Sequence, residues 1–101
     1  QTDLVMVNFI CQGRRLQGRC LDVSSGGMFL ECRPTAQNGD SLLLKFSLPD
    51  EQRTPVEING RIAWANTEAE IIKENYPLGY GVEFIDISDP VGTALRRCFG
   101  T

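Results

Sequence analysis

Short stretches of alternating hydrophobic and polar residues, separated by glycine, proline and other turn residues, run along most of the chain. Such alternation is typical of strands that bury one face, and frequent turns are typical of antiparallel sheets. The pattern predicts six strands, at residues 4–11, 16–23, 28–32, 41–48, 56–65 and 80–87. In the first strand, the face predicted to be buried carries Val5, Val7, Phe9 and Cys11.

The first two predicted strands are joined by a link short enough to make them an antiparallel hairpin. The turn begins at Gln12, and a centre near Gly13 and Arg14 would set Cys11 opposite a residue near Leu16. The two strands are therefore predicted to pair directly.

Two irregular features are predicted in the second half of the chain. Gly60 interrupts the fifth strand, where it fits a bend or a bulge. The connection 67–78 is longer and acidic, and it holds Ile71, Ile72 and Tyr76. Three alternatives are open for this connection: one helical turn, a surface for a partner, or a loop that folds over the end of the sheet.

The last predicted element is a short helix. Ser88 or Asp89 can cap its start, and proline suits the first turn that follows. Apolar residues then recur at helical spacing before a terminal glycine, at Val91, Leu95 and Cys98. Six strands and one terminal helix predict an all-β fold, a closed or nearly closed six-stranded antiparallel β-barrel with a short C-terminal helix.

The length and net charge of the chain narrow the range of functions that it can have. The 101 residues are the size of one domain, and the net charge is −3. A negative domain lacks the surplus of cations that general DNA or RNA binding requires. Local positive charge is nevertheless present, because Arg14, Arg15 and Arg19 cluster in the first hairpin, where a small anionic ligand could bind.

Cysteine and histidine content argues against metal sites and most enzymes. The chain has four cysteines and no histidine, and no two cysteines have zinc-finger spacing. Buried thiols in a reducing cytosol are the expectation. Without a histidine base or a nucleophile paired with a base, we predict no enzyme. No apolar run is long enough to span a membrane, and no signal peptide is visible.

The most unusual segment lies where the second strand ends and the third begins. It contains Asp22, Ser24, Gly26 and Gly27. A carboxylate can accept paired N–H donors such as the N1 and N2 edge of guanine, serine adds a hydroxyl, and glycines let backbone N–H groups approach a ligand. The same residues are also good turn formers, so a purely structural role is the alternative.

The order of these residues resembles a known family. Asp22, Ser24 and Gly27 resemble the (Asp/Asn)-x-Ser-x-x-Gly motif of the PilZ domain family. Residues 60–64 (GRIAW) resemble its G-x-V-x-W strand, and residues 79–84 (GYGVEF) resemble its G-V-x-F strand. The resemblance covers nearly the whole chain and implies the six-stranded PilZ barrel.

The resemblance also implies a ligand, because many PilZ domains bind the bacterial second messenger cyclic di-GMP. The motif residues would form one half of that site. The other half in the family is an Arg-x-x-x-Arg motif before the first strand, but here only residues 1–3 precede this strand, without an arginine. The chain is therefore expected to be a fragment of a longer protein, or to lack the N-terminal segment.

Three further residues are candidates for the ligand site. Arg15 and Arg19 also have Arg-x-x-x-Arg spacing, but they lie in the first hairpin and not before the first strand. Alternation places both side chains on one face of the second strand, where they either lie near the ligand or are simply in solvent. Trp64 is a candidate for stacking on guanine at the mouth of the barrel, whereas its alternation with Ile62 favours a core position.

Two functions follow from the resemblance. The first is a cytoplasmic bacterial receptor that binds cyclic di-GMP, without a metal, and passes the signal to a neighbouring domain or a protein partner, in processes such as motility or biofilm formation. The second is an adaptor that binds a protein without any nucleotide, for example in type IV pilus assembly, with Ile71, Ile72 and Tyr76 as its exposed contact surface.

Overall fold

Six antiparallel strands close into a barrel, and one helix follows them, in a computed structural model that describes residues 6–100. The strand order around the barrel is β1-β2-β3-β6-β5-β4. This confirms the predicted fold, and the strand limits agree with the prediction to within two residues. The predicted strand residues 4 and 5 lie outside the described part. The elements are β1 (Met6–Cys11), β2 (Arg14–Val23), β3 (Gly27–Glu31), β4 (Ser41–Ser47), β5 (Pro55–Asn66), β6 (Gly79–Ile85) and α1 (Asp89–Phe99).

The first hairpin is tighter than predicted. Cys11 pairs with Arg14, so the turn consists of Gln12 and Gly13 alone. Both residues have positive φ, 54° and 75°, as a two-residue hairpin of type I′ requires. The predicted centre near Gly13 and Arg14 was one residue too late, because Arg14 already belongs to β2.

Two bulges interrupt the barrel. One shifts the register of β2 against β3 at Leu21, and the other shifts β5 against β6 at Ala63. Of the bend or bulge predicted at Gly60, the bulge is wrong, since Gly60 pairs regularly with Leu42 and Phe84. Gly60 is needed for packing, because a Cβ there would lie 2.6 Å from Cγ1 of Val82.

Alternate residues of every strand fill the barrel. The predicted inward residues of β6 are confirmed, since Tyr80, Val82 and Phe84 belong to the core. The Tyr80 hydroxyl accepts hydrogen bonds from the backbone N–H groups of Thr35 and Ala36, at 2.7 and 2.8 Å. Tyr80 thereby ties the long β3–β4 loop to the barrel.

The C-terminal helix begins and ends where the sequence predicts. Its N-cap is Ser88, a proline occupies the first turn, and Gly100 follows its last residue. Leu95 is fully buried against the barrel core, with Val91 and Cys98 packed beside it. Among the helices described for residues 6–100, none has the length and apolar character needed to cross a membrane.

The Cys20 thiol makes the stability of the barrel sensitive to alkaline pH. Cys20 is 3% exposed, and burial raises its pKa from 9.0 to about 11. Between these values the unfolded thiol loses its proton while the folded thiol keeps it, so the stabilisation is complete below about pH 9 and is lost as the pH rises towards 11. We expect the free energy of unfolding to fall by on the order of 1 kcal/mol over this range.

Chemical denaturation at several pH values measures this fall. The control is Cys20→Ala, which lowers stability at neutral pH by leaving a small cavity but removes the titrating thiol. Its free energy of unfolding should decline less between pH 9 and 11 than that of the wild type. Parallel curves for the two proteins would contradict this assignment.

Candidate functional site

A row of four residues crosses the outer face of the barrel on neighbouring strands. Asp22 of β2 pairs with Phe29 of β3, Phe29 pairs with Gly81 of β6, and Gly81 pairs with Trp64 of β5. The residues on both sides of Phe29 and Gly81 belong to the core, and Val23 and Ala65, which follow Asp22 and Trp64, pack against it. Because side chains alternate between the two faces of a strand, the row lies on the outside.

Trp64 reaches this row because of the bulge at Ala63. The extra residue reverses the alternation that begins with Ile62, so Trp64 turns away from the core and is only partly buried. The core position favoured by simple alternation was therefore wrong, and Trp64 lies on the barrel wall rather than at its mouth. Gly81 makes room for it, since a Cβ on Gly81 would overlap the indole ring.

Three aromatic rings pack together over this row. The ring centroid of Phe29 lies 5.3 Å from that of Trp64 and 4.6 Å from that of Tyr76. Tyr76 and Trp64 are 5.7 Å apart. Phe29 is only 3% exposed although it points outward, because the other two rings cover it. The accessible aromatic surface is therefore provided by Trp64 and Tyr76.

Tyr76 belongs to the 67–78 segment, the connection between β5 and β6, which folds over the outer wall of the barrel. The segment contains turns and no helix, so the alternative of one helical turn is wrong. It covers the barrel wall, where Tyr76 packs on Phe29, rather than the barrel end. Ile71 and Ile72 are exposed by 47% and 49%, as predicted for a contact surface. Tyr76, predicted to be exposed with them, is instead half-buried.

Asn66, at the end of β5, holds the 67–78 segment in place. It is fully buried, and its amide nitrogen donates to the backbone carbonyls of Lys73, Tyr76 and Pro77 at 2.8 to 3.2 Å. Its amide oxygen accepts from the N–H groups of Ile72 and Lys73 at 2.7 and 3.0 Å. One side chain thus fixes the backbone on either side of Tyr76.

The hydroxyl of Tyr76 donates a 2.8 Å hydrogen bond to Oδ2 of Asp22. This bond raises the pKa of the Tyr76 phenol, because the neutral phenol can donate it and the ionised phenolate cannot. Asp22 is itself exposed, and its carboxylate retains further lone pairs that can accept hydrogen bonds from a ligand.

These groups surround a cleft of about 240 Å³, which we call the outer-face cleft. Its charged lining residues are Asp22, Lys73 and Glu83. Nζ of Lys73 stands 4.6 Å from the centre of the Trp64 ring, a cation–π distance. Glu83 is paired with Arg61 at 2.9 Å on the neighbouring strand. Ser24, Gly27 and Trp64 also line the cleft.

The turn between β2 and β3 is closed by its own hydrogen bonds. The N–H of Ser24 donates to the carbonyl of Gly27 at 2.9 Å, and the N–H of Gly26 donates to Oγ of Ser24 at 3.2 Å. Glycine is required at Gly27 because a Cβ would collide with the carbonyl oxygen of Val82. Gly26 does not line the cleft, and a Cβ there meets nothing within 4 Å. Of the two adjacent glycines, it is thus Gly27 that is required for steric reasons, because its backbone packs closely against β6.

The hairpin arginines lie apart from this arrangement. Arg15 and Arg19 are both exposed on the outer face of β2, on one side as alternation predicts, and neither lines the outer-face cleft. Arg15 instead borders a separate depression of about 470 Å³ with Asn8 and Lys45. Of the seven site residues predicted from sequence, the cleft brings together Asp22, Ser24, Gly27 and Trp64.

Sequence reasoning missed several residues of the cleft. Phe29 was assigned only to a strand, and Lys73 and Asn66 were not singled out. Tyr76 was noticed as an aromatic residue in an acidic connection, but its contact with Asp22 spans 54 positions. An asparagine at the end of a strand, followed by a long connection, was the one available indication of a pinned segment.

No group of three or more histidine, cysteine or acidic side chains within residues 6–100 is arranged to hold a metal ion. The four cysteines are free thiols, with Cys11 and Cys20 buried and Cys32 and Cys98 half-buried. The chemistry that the cleft offers is thus hydrogen bonding, aromatic stacking and charge.

The position of Trp64 can be tested through Gly81. We expect Gly81→Ala to push the indole off the barrel wall, to shift the emission of this single tryptophan to longer wavelength, and to lower stability by about 1–3 kcal/mol. Gly26→Ala is the matched control, because its new methyl group enters open space. A Gly81→Ala protein with wild-type emission would contradict the described packing.

Comparison with known proteins agrees with this architecture. The family profile of the PilZ domain matches residues 4–100. A solved structure described as the PilZ domain with c-di-GMP of YcgR from Escherichia coli superimposes with a TM-score of 0.66. It is 18% identical, and the match covers 94% of this chain and 78% of the other. No match was found among curated protein sequences. PilZ domains are binding domains rather than enzymes, and the match over residues 4–100 shows that this chain belongs to the PilZ domain family.

Proposed function

We propose that this domain is a cyclic di-GMP receptor whose ligand binds in the outer-face cleft. The observation that carries the proposal is the convergence of Asp22, Ser24 and Gly27 with Trp64 on one accessible cleft. The first three match the ligand motif of the family, and Trp64 adds an aromatic face. The similar solved structure is described as a PilZ domain with c-di-GMP, which supports the same ligand.

The chemistry of the cleft suits guanine. The Asp22 carboxylate can accept N1–H and N2–H of the base in two parallel hydrogen bonds, each strengthened by the negative charge of the acceptor. The half-buried faces of Trp64 and Tyr76 offer flat apolar surface on which a base can stack. A cleft of about 240 Å³ holds one base, with the rest of the ligand outside it.

The phosphates of the ligand require more positively charged side chains than the cleft provides. In the family these come from an arginine pair before the first strand. Met6 pairs with Arg19, so β1 begins close to the end of β2 that carries Asp22. We propose that arginines upstream of Gln1 enter the site by this route, and that Arg15 and Arg19 contribute at most to the local potential.

Binding would be passed to an adjacent domain or a protein partner through the 67–78 segment. This segment forms one wall of the cleft and also carries the exposed residues Ile71 and Ile72. A ligand that presses on Tyr76 therefore acts on the same short segment that a partner can contact. We place this signalling in the bacterial cytoplasm, where cyclic di-GMP acts.

Fluorescence of Trp64 tests the proposal, because it is the single tryptophan and lines the cleft. Cyclic di-GMP added to the domain, with its natural upstream sequence included, should quench the emission in a saturable way. Cyclic di-AMP is the control, since the adenine edge presents an acceptor where guanine presents the N1–H donor. Emission that stays constant, or responds equally to both nucleotides, would refute the proposal.

A protein adaptor without nucleotide is the second candidate, favoured by the exposure of two adjacent isoleucines. Ile71 and Ile72 expose 47% and 49% of their surface. Ile72→Lys should then abolish binding to the partner, with Met6→Lys as a control of equal exposure on β1. Partner binding that withstands Ile72→Lys would exclude this surface.

A further inference from the structure

We infer that the 67–78 segment forms one wall of the ligand site and takes part in ligand recognition. Tyr76 holds the Asp22 carboxylate in position, and Lys73 contacts a ligand phosphate. This inference rests on the proposed function, since it assigns roles for the same ligand. It adds two recognition residues from a part of the chain that lies more than forty positions beyond the family motif.

Tyr76 is placed to act as a positioning residue. Its hydroxyl donates 2.8 Å to Oδ2 of Asp22, an otherwise exposed side chain that would rotate freely in solvent. Fixing one rotamer in advance removes an entropic cost that binding would otherwise incur. The bond uses one lone pair of Oδ2, so both carboxylate oxygens keep acceptor capacity for the base.

The segment is anchored as a wall rather than hinged as a lid. Asn66 binds backbone groups of Ile72, Lys73, Tyr76 and Pro77, on both sides of the tyrosine ring. The backbone that carries Tyr76 therefore cannot move away from the barrel without breaking buried hydrogen bonds. This favours a tyrosine that remains in the liganded site over one that must leave it.

Lys73 is the cation of this wall. Among the described residues that line the cleft, it alone carries a positive charge, and its Nζ rests over the Trp64 ring. A ligand phosphate beside the Trp64 ring would therefore lie close to this ammonium group. Because Asp22 and Glu83 also line the cleft, Lys73 gives it a local positive charge beside Trp64 rather than an overall positive charge.

Two substitutions separate these roles. Tyr76→Phe keeps the ring but removes the hydrogen bond, and should weaken cyclic di-GMP binding about three- to tenfold while thermal stability stays unchanged. It should also reduce the preference for cyclic di-GMP over cyclic di-AMP, because a mobile Asp22 reads the guanine edge less well. A merely structural tyrosine would not change this preference.

Lys73→Met keeps the apolar stem and removes the charge, and should weaken binding about threefold and flatten its dependence on salt. Lys45→Met is the matched control, since Lys45 on β4 is paired with Glu57 on β5 and does not line the cleft. Its affinity and salt dependence should equal those of the wild type.

The outcomes distinguish this inference from the proposed function. Wild-type binding that is lost in Asp22→Ala but unchanged in Tyr76→Phe and Lys73→Met would overturn the inference and leave the receptor intact. Tighter binding by Tyr76→Phe would overturn it too, because the tyrosine would then compete with guanine for Asp22. These titrations use the protein with its natural upstream sequence, and absence of binding by that wild-type protein would instead reject the receptor.

Discussion

Replacing Asp22 with alanine is expected to lower the affinity for cyclic di-GMP by at least about a hundredfold. The variant loses both acceptors for the guanine edge, and hydrogen bonds to a charged group contribute about 1.5–3 kcal/mol each. Since Asp22 is exposed, the barrel itself should retain its stability to within about 0.5 kcal/mol. Titration calorimetry of the two proteins, each with its natural upstream sequence, measures the loss.

Two variants control for charge and for folding. Asp22→Asn keeps one acceptor oxygen and matches the alternative residue of the family motif, so its binding should be intermediate. Glu51→Ala removes a carboxylate from the exposed β4–β5 loop and should bind like the wild type. An Asp22→Ala protein that binds normally would show that the carboxylate does not read the ligand.

Replacing Asn66 with alanine should have the largest effect on stability. It should lower the free energy of unfolding by about 2–3 kcal/mol, because five backbone groups of the 67–78 segment lose a buried partner. The segment should then loosen, so that Tyr76 no longer covers Phe29. Chemical denaturation gives the loss, and hydrogen exchange at the Ile72 and Lys73 amides shows where it occurs.

Asn59→Ala is the matched control for this variant. Asn59 lies on the same strand with its side chain in solvent, so its loss should change stability by less than about 0.5 kcal/mol. Amide protection at Ile72 and Lys73 should remain at its wild-type level in this control. If Asn66→Ala proved equally harmless, Asn66 would not be the anchor of the segment.

Much of the fold could be predicted because each strand carries its own periodic pattern. The alternation in β1 and β6 directly indicates which residues face the core, and the proline and glycine limits of α1 are local signals. The (Asp/Asn)-x-Ser-x-x-Gly resemblance adds the order of the strands. These features need no knowledge of distant contacts.

The bulges could not be predicted, and they determine the site. A single extra residue at Ala63 reverses the direction of Trp64, and nothing in the alternation of β5 marks that residue. Gly60 was the more obvious candidate because glycine often marks a bulge, yet it is needed here for packing against Val82. The sequence therefore indicated Trp64 as a candidate but not where it points.

The cleft wall opposite Asp22 could not be predicted either. The Tyr76–Asp22 hydrogen bond links positions 54 apart, and it depends on how Asn66 folds the intervening chain. Local propensity describes 67–78 only as an irregular connection. Contacts of this kind arise from tertiary packing and leave no periodic trace in the sequence.

Calorimetric titration of cyclic di-GMP into this chain, and into a version extended by its natural upstream sequence, tests whether the domain is a receptor. We expect saturable binding by the extended protein, weaker or no binding by the chain alone, and loss of binding in Asp22→Ala. Folded protein that releases no heat with cyclic di-GMP in either version would contradict the receptor and leave Asp22 to Gly27 as a structural turn.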